Sequence, residues 1–437
     1  MVLAGGLLAI LLIAAVTPGP APPPLLTAVA GLAALCLLAL ALGRYEIAVG
    51  LGMFLFGVVF IEPSPPDAVL GIVMLVAVIT GRFSVNAVPL PMLALLLGFI
   101  ALNAISAIFA ILPGRAVFFF SITAYLAMFA LWLTGYVNSI ERARSVIRPL
   151  VAGAVVSAVV GVAVLFVNFP AKALLDFSDG YRARGFFKDP NVYGPFLVVV
   201  ALIVLSEILE PRLLKGRLVT KLAILLSLSL GVLFAYSRAA WLNAVVGVLT
   251  MLLVYTFRRH GSVNVAKIIV TLAIAFTVGT VMLAATGQTQ FLRQRAQLQS
   301  YDTQRFAAQE QGLELAQRYP LGIGPGQFEE TVGYAAHSTY VRTLAEQGVL
   351  GLVVMAALLF GTLGFAAANV VRGRDSYGVS SAALLAAWCG VMANSAFVDT
   401  LHWRHVWLVA ALIWVGAMRP GAAQQSERQP LRAASAR

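Results

Sequence analysis

The chain has 437 residues, 60% of them hydrophobic and only 11% charged, with a mean hydropathy of +0.91. A soluble domain cannot bury that much apolar surface, so a polytopic membrane protein is expected, and lipid forces its crossings to be helices. Uninterrupted apolar runs such as Val151 to Phe166 exclude the alternating strands of a barrel, and the +12 net charge sits in short inter-helix loops, where it reports orientation instead of nucleic-acid binding.

Apolar runs between breakers predict fourteen segments, near 2–16, 25–42, 46–61, 67–80, 89–112, 116–136, 147–169, 193–209, 218–235, 239–257, 265–285, 346–368, 378–397 and 405–418. Several are short for a core of about 30 Å, so merged or re-entrant segments would lower the count to about 12. The first run lacks a basic start and ends in Thr17-Pro18-Gly19-Pro20, a poor cleavage site, so it is read as a retained helix. Cys36 and Cys389 fall inside apolar segments, with no metal-type spacing. Two polar stretches interrupt the pattern: a basic loop near 170–192, and an island from Gly287 to Glu346 with Arg293, Arg295, Arg305, Arg318 and His337. The expected organisation is N-terminal helices over 1–285, a large loop over 286–345, C-terminal helices over 346–420 and a disordered cytoplasmic tail over 421–437.

Basic residues fix the orientation. Arg142, Arg144 and Arg148 share one loop; Arg212, Lys215, Arg217 and Lys221 come two crossings later; then follow Arg258, Arg259 and Lys267, then Arg372 and Arg374, then the tail. Alternate loops therefore carry the positive charge, which places them and both termini in the cytoplasm. The opposite face then holds the island and the 170–192 loop, both basic against the insertion bias. An anionic ligand explains that placement; salt bridges to Asp176, Asp179 and Asp189 are the competing explanation for the smaller loop.

Four motifs lie on that face. Tyr181 to Asn191 is basic and aromatic, with Arg182 and Arg184 suited to bidentate phosphate contact and Pro190-Asn191 signalling a helix start. Ser237-Arg238-Ala239-Ala240-Trp241 sits at a tight turn between helices, where amides favour phosphate; the alternative is an interfacial Arg238 reaching lipid headgroups. Gly322-Ile323-Gly324-Pro325-Gly326-Gln327-Phe328 lacks the lysine of a P-loop and follows a helix, so nucleotide binding is rejected. Finally, helical spacing puts His337, Tyr340, Val341 and Leu344 on one face, with His337 able to accept a proton near neutrality or to serve structurally. His402 and Arg404, with His405, lie on the same side and could support a site. No carboxylate or histidine spacing suggests a metal.

At these residues the sequence resembles the O-antigen ligase and polymerase superfamily of bacterial envelope membrane proteins. The resemblance is carried by Arg184-Gly185-Phe186 with Asp189-Pro190-Asn191, by Ser237 to Trp241, by Gly322 to Phe328, and by His337-Ser338-Thr339-Tyr340 through Glu346-Gln347-Gly348. It departs at Ser338, where many members have asparagine. The resemblance implies a GT-C-like membrane fold in the bacterial inner membrane. It implies a cofactor-free, metal-independent glycosyltransferase whose donor is a glycan on undecaprenyl diphosphate and whose acceptor is a sugar hydroxyl of lipid A-core, at the periplasmic face. It further implies His337 as catalytic base and Arg238 and Arg305 as diphosphate contacts, with Arg182 and Arg184 beside them; Tyr340, Arg342, His402 and Arg404 are supporting candidates. A polymerase or a protein O-oligosaccharyltransferase of the same superfamily is the alternative. A transporter of lipid-linked glycans fits less well, because it would carry charges at mid-membrane depth.

Overall fold

A computed structural model describes residues 24–61, 64–168, 172, 181–257, 261–297 and 300–418. The expected helix over 2–16, the tail over 421–437, Asp176, Asp179 and His260 lie outside the described residues. The helices are α1 (Pro24–Gly43), α2 (Tyr45–Phe54), α3 (Pro65–Ile79), α4 (Leu90–Ala107), α5 (Pro113–Tyr136), α6 (Ile140–Phe166), α7 (Pro190–Leu209) and α8 (Leu218–Phe234). They continue as α9 (Arg238–Thr256), α10 (Gly261–Ala285), α11 (Thr289–Ala296), α12 (Ser300–Arg318), α13 (Phe328–Val332), α14 (Thr339–Val371), α15 (Ser381–Ser395) and α16 (Arg404–Ala417). Among the described residues seven helices are long and apolar enough to cross a membrane, and six more apolar helical stretches have 10–17 residues. The chain is an all-α polytopic membrane protein, as its composition requires.

The chain forms two compact units. The first comprises Met1–Ser84, Asn138–Trp241 and Ser262–Leu292. Its centre is α7, of which 89% of the most apolar window is buried. That helix reads as a nearly unbroken Val, Leu and Ile run, and a helix apolar all round belongs inside a bundle. Its neighbours approach where side chains are small: a Cβ on Gly194 would come within 2.5 Å of the Ala240 Cβ, and one on Gly231 within 2.5 Å of Leu197. At the far end of α7 the buried Glu207 carboxylate accepts the amides of Arg212, Leu213 and Leu214 at 3.0, 2.9 and 3.0 Å, with Lys221 at 3.6 Å. That carboxylate ties the α7–α8 turn down at the end opposite the motifs.

The second unit comprises Val85–Val137, Leu242–Gly261 and Arg293–Arg437. Its axis is α14, which packs against α4, α12, α15 and α16. The polar island is largely helical: α11, α12, α13 and the first turns of α14 all fall within it. The composition of α12, polar outside with small Ala308, Gly312 and Ala316 buried, explains why it is a helix lying on another helix and not a membrane crossing.

Candidate functional site

The motif residues fall in both units, and each set has its own geometry. In the first unit, the 181–191 segment docks on the α8–α9 turn. Asp189 caps α7 by accepting the Asn191 amide at 2.8 Å, which starts the helix at Pro190 as the Pro-Asn signal predicts. The Asn191 Oδ1 then accepts from Arg182 Nη2 at 3.1 Å and from Ser237 Oγ at 2.9 Å, while Arg182 Nε donates to the Ala235 carbonyl at 3.0 Å. Ala183 N–H donates to the Phe234 carbonyl at 2.7 Å, and Arg184 Nη1 to the Lys188 carbonyl at 2.8 Å. Gly185 adopts φ +50, and a Cβ there would lie 2.3 Å from Ser157 Oγ, so only glycine fits this crossing.

Arg238 is the first residue of α9, and Ser237 is its cap, accepting the Ala240 amide at 3.3 Å. The turn before it holds Tyr236 at φ +46, an uncommon and costly conformation for a bulky residue. Tyr236 is fully buried; its hydroxyl donates to Gln288 Oε1 at 2.6 Å and its ring meets Phe291 edge-on at 4.7 Å. Burial pushes its phenol up to about 12, so it stays a hydrogen-bond donor at neutral pH. The first unit thus docks the segment that carries Arg182 and Arg184 on the turn that precedes Arg238.

In the second unit, spacing places His337 on a helix with Tyr340, and the structure corrects this. The helix begins at Thr339, because Ser338 is the N-cap and accepts the Val341 amide at 3.4 Å. His337 lies just before it, partly buried, at φ +45. Among the described residues only three non-glycine positions have positive φ, and two of them are His337, inside its motif, and Tyr236, directly before Ser237. Such a conformation costs roughly 1–3 kcal/mol and has to be held by its surroundings. The carboxamide of Gln309 on α12 donates to the carbonyls of Ala336 and His337 at 3.2 and 3.4 Å, and the Tyr334 ring lies 5.7 Å from the imidazole. Arg305 lies one turn before Gln309 on α12, 3.8 Å from Asp302. Tyr340 is partly buried in the first turn of α14.

Arg342 is buried and faces three carboxylates: Asp399 at 2.6 Å, Glu346 at 3.2 Å and Glu329 at 3.7 Å. Its role is therefore to hold protein groups together. Glu346 in turn accepts the amides of Gly326 at 2.9 Å and Phe328 at 3.2 Å, and its own carbonyl accepts Gly324 N–H at 3.0 Å. Arg115 on α5 reaches Glu329 and Glu330 at 3.0 and 2.9 Å and donates to the Gly326 carbonyl; Gln327 exchanges hydrogen bonds with the Leu112 backbone. The glycine-rich turn is thus bound to the start of α14 through backbone contacts that need its glycines. Gly322 has φ +86, and a Cβ would lie 2.2 Å from the Glu346 carbonyl oxygen.

His402 packs beside Phe119, with Nε2 3.1 Å from Thr123 Oγ1. Thr123 donates its proton to the Phe119 carbonyl at 3.0 Å, so the imidazole acts as donor from Nε2. Burial, with Arg342 and Arg404, drives His402 down to about 4 despite Asp399, leaving it neutral. Burial pushes the Asp399 carboxyl up, but the charge and hydrogen bond of Arg342, His402 and the Leu401 amide together outweigh it and hold the group below the ordinary carboxylate range. Arg404, partly buried, opens α16. The second unit brings His337 and Arg305 to the face where α12 meets the 336–338 segment, and gathers Arg342 with Asp399 and His402 behind the glycine-rich turn. Gln309, Arg115, Glu329 and Asp399 carry no motif of their own, and only folding shows what they touch. Glu346 stands inside a quoted motif, where its i+4 spacing from Arg342 was the available signal.

Among the described residues no group of three or more His, Cys, Asp or Glu could hold a metal. The family model Wzy_C, described as O-Antigen ligase, matches residues 222–356. No curated protein matches the chain.

Proposed function

We propose that this protein, whose residues 222–356 match the O-Antigen ligase family model, belongs to that superfamily and transfers a glycan from undecaprenyl diphosphate to a sugar hydroxyl of lipid A-core. The observation that carries the reading is the extent of the matched region, which contains Arg238, Arg305 and His337 together. In this reading the protein sits in the inner membrane, with 286–345 as its periplasmic part between the helices of 1–285 and 346–420, and acts on that face.

The chemistry needs no nucleotide, since the lipid diphosphate is already an activated leaving group. His337 accepts the proton of the acceptor hydroxyl as its oxygen attacks the anomeric carbon. The anomeric C–O bond to phosphate breaks, and the electron pair leaves with undecaprenyl diphosphate, inverting the anomeric configuration. In this reading Arg238 and Arg305 meet the charge that develops on the diphosphate, and Arg182 and Arg184 are further donor contacts. A metal usually does this in such transfers, and guanidinium groups fixed in place can replace it. Arg342, Tyr340, His402 and Arg404 act at one remove, by fixing the turn and the helix start that flank His337.

The test is a transfer assay on purified protein with an undecaprenyl-diphosphate glycan and three acceptors: lipid A-core, a second donor molecule, and a pilin-like peptide. The expected product is glycosylated lipid A-core, formed at full rate in excess EDTA. Extension of the donor glycan alone would make the protein a polymerase, and transfer to peptide an O-oligosaccharyltransferase. Loss of rate in EDTA that magnesium restores would overturn the arginine mechanism.

A further inference from the structure

We propose that Gln309 is a positioning residue for His337, setting the direction in which the imidazole meets the acceptor hydroxyl. The inference rests on His337 being the base of the transfer reaction above. One NH2 group of Gln309 bridges two consecutive carbonyls, Ala336 at 3.2 Å and His337 itself at 3.4 Å. An amide nitrogen carries two protons, so both bonds form at once. They hold the peptide unit that links Ala336 to His337 and the carbonyl that follows, the span whose torsions aim the imidazole.

The support behind Gln309 is firm. Ala308 next to it joins Phe328, Ala336 and Ala345 in one apolar cluster, and Gly312 lets α12 approach so closely that a Cβ there would lie 2.6 Å from Val341 Cγ1. On the other side of His337, Ser338 is locked as the cap of α14. The histidine between these anchors holds φ +45, a conformation that it leaves readily once an anchor is lost. Gln309 is neutral, so it acts on the direction of the ring and not on its charge. A residue that merely staples two segments would affect melting; one that aims a base affects turnover in protein that is still folded.

The experiment uses the full chain in lipid nanodiscs, with undecaprenyl-diphosphate glycan as donor and lipid A-core as acceptor. Gln309→Met keeps the length of the side chain and removes the donor; Gln309→Lys keeps a donor on a similar stem. The expected result is a fall in kcat of roughly ten- to hundredfold for Gln309→Met, with KM for both substrates within about twofold and the pH–rate inflection unmoved. Gln309→Lys should recover part of the loss. Unchanged kcat in Gln309→Met, a loss confined to KM, or a shifted inflection would each overturn the proposal. If Gln309→Met melts too low to assay, Gln309→Lys is compared with Gln309→Glu, which cannot donate: equal activity at matched folding sinks the idea. His337→Ala separates the two readings. An inactive His337→Ala beside a fully active Gln309→Met rejects only the positioning role, whereas an active His337→Ala rejects the base and this inference with it.

Discussion

His337 and Arg238 each adjoin a serine that caps a helix, His337 itself in left-handed backbone and Arg238 two residues after left-handed Tyr236, yet their expected roles differ. A general base acts on the acceptor in the transition state, whereas a phosphate contact is made by the bound donor as well. His337→Ala is therefore expected to cut transfer by about 10²–10⁴-fold with donor affinity retained, and Arg238→Ala to weaken donor binding too, as measured by calorimetric titration of undecaprenyl-diphosphate glycan. Equal loss of donor affinity in both variants would remove the distinction. His402 yields a pH prediction. Its folded value of about 4 lies below the ordinary histidine value near 6.5, so between those pH values the unfolded chain binds the extra proton. Stability is full above about pH 6.5 and falls as pH drops toward 4. Asp399 loses its ion pair at still lower pH, in the same direction. Melting curves from pH 4 to 7 should show the fall, and His402→Gln should flatten it; an unchanged slope would mean that His402 does not titrate as described.

At the scale of the element, α14 is one helix by hydrogen bonding but two by geometry. Gly348 has φ 73 and ψ −174 inside it, and the kink separates a polar first section from the apolar span. A Cβ on Gly348 would lie 2.1 Å from the Pro320 carbonyl oxygen, which also accepts the Val349 amide at 3.4 Å. Backbone meets backbone there, so no side chain can yield. Gly348→Ala should lower stability by about 1–3 kcal/mol or more and loosen the glycine-rich turn, seen as faster amide exchange at Gly324 and Gly326. Exchange unchanged from the parent would show that the kink and the turn are independent. The four motifs of the sequence read as separate signals, but in each unit they are paired: 181–191 with the Ser237 turn, and 322–328 with the start of α14.

For the whole molecule the question is which face meets which compartment. The alternation of basic loops predicts α12 on the exported side and the α14–α15 turn in the cytoplasm. Thr303 on α12 and Arg372 at the end of α14 are both exposed, so cysteines at these positions report accessibility and not burial. An impermeant thiol reagent should label Thr303→Cys in intact spheroplasts and Arg372→Cys only after lysis. The reverse pattern would invert the topology and put the proposed site in the cytoplasm.

The amino-acid sequence by itself determined the membrane class, the helical architecture and the positions of most apolar helices, because hydropathy and breakers act locally along the chain. The motifs at Arg184, Arg238, Gly322 and His337 were legible for the same reason, as short runs of special residue types. The conformation of His337 was not: periodicity placed it on a helix, and the choice of Ser338 as cap moved it outside. Nor were the partners of Arg342, since a sequence shows a charge but not which of Glu329, Glu346 and Asp399 the fold brings against it. Gln309 was silent for the same cause, as one glutamine among several on a polar helix. Only the packing of α12 on α14 decided that its amide would hold the two carbonyls beside the histidine. Such contacts join residues far apart in the chain, and their energies depend on burial that exists only once the chain has folded.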